Sequence, residues 1–194
     1  MRKEFRELAS LEEALEVLED LKLERKVEKV KLTEAKERVV AEPIESPIDV
    51  PGFDRSIMDG YAVKAEDTYG AQENEPVELK HGGIVHAGEE PKIRVTEGEA
   101  IEISTGAVIP EGADAVVKVE DTTEDDESIF VRKPVAPGDN IMTAGYDVAA
   151  GERVVRKGTR LTPREIGLLA ALGFERVPVY TKPKVGIVST GDEL

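Results

Sequence analysis

Pro51-Gly52-Phe53-Asp54-Arg55-Ser56-Ile57-Met58-Asp59-Gly60-Tyr61-Ala62-Val63 is the stretch on which the fold turns. It opens on a loop of Pro, Gly and Asp, passes an Asp-Gly pair and closes on Tyr61 to Val63, an aromatic and β-branched run that reads as a strand. The same grammar repeats as far as Met142. Short apolar runs at Val77 to Leu79, Ile93 to Val95, Ala100 to Ile103, Ala115 to Val119 and Ile129 to Arg132 are separated by Gly, Pro and acidic turns. This spacing predicts a β-rich unit over 45–144. Glu124-Asp125-Asp126-Glu127 falls between two of the runs and reads as a solvated hairpin tip.

Helical periodicity flanks this unit. Ser10 and Glu13 make a capping box, and Leu11, Ala14, Leu15, Leu18 and Leu21 recur at helical spacing up to about Leu23. A shorter helix is expected from Thr33 through Glu37, then a strand at Val39-Val40 ending before Pro43. Towards the other end, Thr162 suits an N-cap, Pro163 the first helical position and Glu165 the capping-box partner, with Gly173 as the stop. That helix is expected to pack through Ile166, Leu168, Leu169 and Leu172. The class that follows is α+β and multidomain: a discontinuous mixed α/β domain, 1–44 with 145–182, interrupted by an inserted β-rich domain, 45–144. Lys184-Val185-Gly186-Ile187-Val188 reads as a buried parallel strand entering a polar loop. Parallel strands need neighbours reached by crossovers, so 183–194 is expected to be the truncated start of a further α/β domain, its strand frayed or differently packed.

Composition narrows the function. A hydrophobic share of 40% over 194 residues is enough for a real core, built from Val, Ile, Leu and Ala because Trp is absent. A net charge of −15 repels nucleic acid and anionic lipid, so neither is expected as a partner. Without Cys there can be no disulfide, thiolate metal site or thiol nucleophile. No apolar run approaches a membrane span, and the charged start is not followed by an apolar signal core. A cytoplasmic protein is expected.

Four segments could carry chemistry. Asp59, beside Gly60, is placed to offer a hard oxygen to a divalent cation or to accept a hydrogen bond, although a plain Asp-Gly turn explains the pair equally. Ile103-Ser104-Thr105-Gly106-Ala107 opens from a strand into a small-residue loop whose N–H groups could line an anion site, with Thr105 adding a hydroxyl; a tight turn is the alternative. In the third segment, Gly138-Asp139-Asn140 with Gly145-Tyr146-Asp147, turn chemistry is the default reading, and Asp147 is the better functional candidate because it lies where two domains would meet. Ser189-Thr190-Gly191-Asp192-Glu193 follows the last strand, where open α/β sheets place ligands, and Asp192 and Glu193 could hold a metal there. His81 and His86 are too few for a closed zinc site, and neither a P-loop nor a Ser-His-Asp grouping is evident.

Taken in order, Ser56 to Val63, Thr105-Gly106-Ala107 with Pro110 and Gly112-Ala113-Asp114, Gly145 to Asp147, Gly167-Leu168-Leu169-Ala170 with Gly173, and Ser189 to Leu194 resemble the molybdopterin molybdenumtransferases of the MoeA family, related to the gephyrin E domain. The resemblance covers nearly the whole chain. It implies insertion of molybdate or tungstate into adenylylated molybdopterin with release of AMP, dependent on magnesium. It also implies a homodimer, with a cleft between the inserted domain of one subunit and the pterin-binding α/β domain of the other. Carried over residue by residue, it places Asp59, Thr105, Asp147 and Glu193 in catalysis and Asp59, Asp192 and Glu193 at the metal. Ser56, Gly60, Gly106, Ser189, Thr190 and Gly191 then line the cofactor-binding surface. Because the pterin-binding domain is represented by one strand, this chain alone is expected to be inactive; the alternative is a non-catalytic dimerisation or scaffold fragment, or a half-site paralogue.

Overall fold

The computed structural model describes residues 9–20, 25–125 and 127–187. Helix α1 (Leu11–Glu19) precedes β1 (Val27–Lys31), β2 (Ile44–Glu45), β3 (Arg55–Ser56), β4 (Gly60–Val63), β5 (Val77–Val85) and β6 (Glu99–Ile103). β7 (Ala115–Lys118), β8 (Thr122–Glu124), β9 (Ser128–Val131), β10 (Ile141–Met142), β11 (Arg153–Val155), α2 (Pro163–Ala171) and β12 (Arg176–Tyr180) complete the order. The chain divides into two compact units, Met1–Ile44 with Val155–Leu194, and Glu45–Val154.

In the first unit, β1 pairs antiparallel with β12, Val27 opposite Tyr180 and Lys31 opposite Arg176. Leu32, Ala35, Val40, Leu161, Leu169, Leu172, Val177 and Val179 are buried, each large side chain contributing roughly 1.5–3 kcal/mol. Leu169 and Leu172 carry the burial of α2, while Ile166 and Leu168 are only half-buried. The capping box of α2 forms: Glu165 accepts from the Thr162 N–H at 3.0 Å and from the Thr162 hydroxyl. Those two bonds, the hydroxyl first, pull the Glu165 carboxyl from 4.5 to about 2. A depressed carboxylate stabilises the fold above its unfolded pKa, and that contribution is lost as pH falls from about 4.5 towards 2. Glu165→Gln is therefore expected to lower the thermal midpoint at pH 7 and to flatten its decline below pH 4.5. Circular dichroism melts from pH 2 to 7 check this; parallel curves for both proteins would remove the assignment.

Several expectations are corrected here. The helix expected from Thr33 is a single 3-10 turn, Leu32–Glu34, because Glu37 takes a positive φ of 65° that no helix accommodates. The strand at Val39-Val40 reduces to isolated bridges, Val39 with Arg160 and Val40 with Val179. Helix α1 and its capping box form, yet none of its residues is buried and Leu11 is 71% exposed; residues 21–24 lie outside the described part. Lys184 to Ile187 form no strand and Ile187 is 94% exposed, since no neighbouring strand among the described residues pairs with them.

The second unit is a six-stranded sheet in the order β7-β4-β6-β5-β9-β8, antiparallel except for β5 against β6. All four residues of β4 are buried, so the sheet is covered on both faces there. One face gathers Tyr61, Val63, Leu79, Val117, Ile129 and Val131; the other gathers Ala62, Val85, Val95, Ile101, Ile103 and Val116. Strand β5 outruns the expected Val77 to Leu79 because Gly82 and Gly83 let it shift register between His81 and Ile84 and continue. Ile93 to Val95 shows the burial alternation of a strand without a ladder: Val95 is buried and bonds Glu111 as a lone strap. β8 and β9 form a hairpin in which Glu124 ends the first strand opposite Ile129 and Asp125 and Glu127 fall in the connection.

The second crossing between the units falls at Val154–Val155, not at 144–145 as read from the sequence. The intervening loop is bound to 46–51: Gly145 N–H donates to the Pro51 carbonyl at 2.9 Å, Asp147 N–H to Val50 at 2.9 Å and Gly151 N–H to Ser46 at 2.8 Å. Among the described residues, no helix is long and apolar enough to cross a membrane.

Candidate active site

The loop from β3 to β4 is built to present Asp59. Ser56 is buried, and its hydroxyl donates to the Met58 carbonyl at 2.5 Å while accepting from the Met58 N–H at 3.2 Å. This local turn sets the direction of residues 57–59. Gly60 then enters the sheet opposite Lys118, where a Cβ would stand 1.9 Å from the Val117 carbonyl oxygen. Only glycine lets β4 lie that close to β7 immediately after the exposed Asp59.

A second loop meets the first. β6 ends at Ile103, and the chain turns at Gly106, whose φ of +83° favours glycine. Gly106 N–H donates to the Ser56 carbonyl at 2.8 Å and Ser56 N–H to the Ala107 carbonyl at 3.0 Å. This clamp brings Thr105 onto Asp59: Oδ1 accepts from the Thr105 N–H at 2.7 Å and from Thr105 Oγ1 at 2.8 Å. The backbone bond first, then the hydroxyl, holds the Asp59 carboxyl below its ordinary value. Asp59 is thus kept charged, with Oδ2 taking no bond from the described residues. Thr105→Val is expected to let the Asp59 pKa rise part of the way back, since the N–H bond survives. A carboxyl-detected NMR titration measures it, and an unmoved titration would discount the hydroxyl.

Lys118 comes opposite Gly60 in the β4–β7 register, and the Arg55 guanidinium contacts Met142 Sδ at 3.2 Å. Phe53, Ile57 and Met58 are exposed on the Asp59 loop. A solvent-facing carboxylate on a loop with exposed apolar side chains suits an organic ligand with a bound cation better than it suits a core.

Of the expected residues, Asp59, Thr105, Ser56, Gly60 and Gly106 are brought together by the two loops. Ser56 and Gly60 serve the scaffold: the hydroxyl of one is spent on Met58 and the other is packed against β7. Asp147 is exposed on the 145–152 loop of the same unit, tied by its N–H to Val50, and its side chain bonds no described residue. Ser189, Thr190, Gly191, Asp192 and Glu193 lie outside the described residues. Lys118 was missed, as were Asp49 and Asp54, which anchor the N–H groups of Ala150 at 2.7 Å and Ala144 at 2.8 Å. No local signal points to them, because the partners of Asp49 and Asp54 and the β4–β7 register of Lys118 lie far along the chain.

For a divalent cation the described residues give a partial donor set. No group of three or more His, Asp or Glu that could hold a metal ion is present among them. Magnesium, however, keeps several waters and uses one or two carboxylates with substrate phosphates. The free oxygen of Asp59 fits that requirement.

Comparison with known proteins bears on the whole arrangement. Residues 9–173 match the model of the MoeA N-terminal region, domains I and II. The chain is 38% identical over 190 residues to the molybdopterin molybdenumtransferase of Synechococcus elongatus, covering 96% of this chain and 47% of that protein. It is 42% identical over 165 residues to molybdopterin molybdenumtransferase 2 of Mycobacterium tuberculosis, covering 85% of this chain and 41% of that one. The fold matches two crystal structures of the molybdopterin biosynthesis MoeA protein from Pyrococcus horikoshii at 47% identity, with TM-scores of 0.83 and 0.78 over 91% of this chain and 45% and 47% of those chains. The chain spans less than half the length of these relatives.

Proposed function

This chain belongs to the MoeA family through its N-terminal region, and from that premise we propose that it supplies part of the active site of a molybdenum cofactor biosynthesis enzyme. The reaction is insertion of molybdate or tungstate, oxyanions of like shape and charge, into adenylylated molybdopterin with release of AMP. The observation that carries the reading is the Asp59–Thr105 pair, a charged carboxylate with one oxygen committed and one available.

Each side chain has a definite task in this reading. Asp59, kept deprotonated by Thr105, would hold magnesium with its available oxygen, and Asp192 and Glu193 would be further ligands. Magnesium, when bound, offsets the charge of the adenylyl phosphate against the incoming oxyanion. Thr105 fixes the carboxylate rather than meeting the reactants with its hydroxyl, which is already donated. Phe53, Ile57 and Met58 exclude water beside the substrate. Asp147 supports the loop side of the cleft. A homodimer in the cytoplasm completes the proposal.

The test is AMP release from adenylylated molybdopterin by the protein at the length of its relatives. Release that requires both molybdate and magnesium is expected, and none from this chain alone. Failure of the longer protein to release AMP would overturn the enzyme reading in favour of a scaffold.

A further inference from the structure

Basic residues converge on one cavity in an otherwise acidic chain. Within the unit formed by 1–44 and 155–194, a cavity of about 1190 Å³ is bounded by Arg25, Lys26, Arg38, Lys157, Lys182 and Lys184. These are six of only 26 Lys and Arg, set against 41 acidic residues in the chain, so their gathering runs against the average. One carboxylate, Glu37, lines the cavity, and it is bound to Arg160. Arg38 is paired with Glu28 and donates to the Tyr180 carbonyl at 2.7 Å. Arg25 lies over the Tyr180 ring, 5.8 Å from its centroid. Neither Arg25 nor Lys157, Lys182 or Lys184 forms an ion pair with a described residue.

The backbone enforces this gathering. Val27 pairs with Tyr180 at the end of the β1–β12 ladder, and the Thr181 N–H donates to the Lys26 carbonyl at 2.9 Å. Those bonds hold 25–26 beside 180–182. Gly158, at a φ of +85°, donates its N–H to the Val40 carbonyl at 2.8 Å and brings Lys157 to the same place. Like charges fixed around a concavity reinforce one another's potential and attract a multivalent anion. Tyr180 and Val39 add an apolar wall, and the volume accommodates an organic molecule and not a single oxyanion alone.

We propose that this cavity is a binding site for a small di- or triphosphate, its phosphates held by Lys157, Lys182 and Lys184 and any organic portion lying on Tyr180 and Val39. The cavity belongs to the unit formed by 1–44 and 155–194, whereas the described residues of the proposed reaction all belong to the 45–154 unit.

Calorimetric titration of the 194-residue chain with ADP, and separately with inorganic pyrophosphate, tests it. One saturable site with a Kd of about 10–100 µM is expected for the better ligand. The double variant Lys157→Glu with Lys182→Glu should bind at least ~10-fold more weakly, and ~0.3 M salt should weaken the parent several-fold. Asp59→Asn should bind unchanged, which separates this site from the one above. Should the double variant lose its circular dichroism spectrum, Lys182→Gln on the exposed stretch after β12 takes its place, with about a 3-fold loss expected. Tighter binding of ADP identifies an organic phosphate as the ligand; equal binding identifies inorganic polyphosphate. No saturation below ~2 mM, or undiminished binding by the folded variants, overturns the proposal.

Discussion

Asp59→Asn, placed in the protein at the length of its relatives, is expected to lower molybdate-dependent AMP release by about 100-fold or more with little change in thermal midpoint. The substitution is nearly isosteric, and the Asn carbonyl oxygen can still accept from the Thr105 N–H and hydroxyl that Asp59 Oδ1 now binds. The clamp between the two loops therefore survives. Lost are the negative charge and the second oxygen, replaced by an amide that can only donate. Magnesium-dependence should shift with the rate: more magnesium should recover part of the activity of Asp59→Asn and none of the loss in a variant whose fold is damaged. An Asp59→Asn protein with parental activity would remove Asp59 from the chemistry and leave its bond to Thr105 as a loop staple.

Gly60→Ala should be strongly destabilising to the second unit. The new Cβ would lie 1.9 Å from the Val117 carbonyl oxygen, 2.9 Å from its carbon and 3.1 Å from the Lys118 Cα. All three are backbone atoms of β7, so no side-chain rotation relieves the clash, and β7 must part from β4. A loss of about 3 kcal/mol or more is expected. Gly106→Ala provides the contrast: its φ of +83° is strained for alanine, but nothing lies within 4 Å, so about 1 kcal/mol is expected. Urea unfolding of both proteins compares the two directly. Equal losses would mean that conformation and not close approach makes Gly60 necessary.

The contrast between these glycines explains how legible the site was. Ser56, Gly60 and Gly106 were expected on the cofactor surface because they belong to the motif, yet two of them are explained by packing. A motif records which residues occur together and not whether each faces a ligand or a neighbouring strand. Asp59 and Thr105 were singled out as residue types on separate loops, and their mutual bond was not foreseeable, since 46 positions separate them. Helix α1 shows the same limit from the other side. Its capping box was readable from Ser10 and Glu13 and formed, while the periodic leucines that suggested a buried face remain exposed. Periodicity says that a face could be covered, and only a partner element decides whether it is.

What the sequence determined by itself is local or compositional. The caps at Ser10 and Thr162, the strand runs at Tyr61 to Val63, Val77 to Leu79, Ala100 to Ile103, Ala115 to Lys118 and Ile129 to Val131, and the absence of thiol chemistry all follow from residue types over a few positions. Tertiary structure alone decided the strand order β7-β4-β6-β5-β9-β8, and with it the placing of Lys118 opposite Gly60 and of Thr105 on Asp59. It also decided that 145–154 stays with the β-rich unit and that lysines from both ends of the chain share one cavity. The physical reason is common to these cases. Caps and turns satisfy hydrogen bonds within three or four residues, whereas pairing order and cavity walls depend on which distant segments exclude water together.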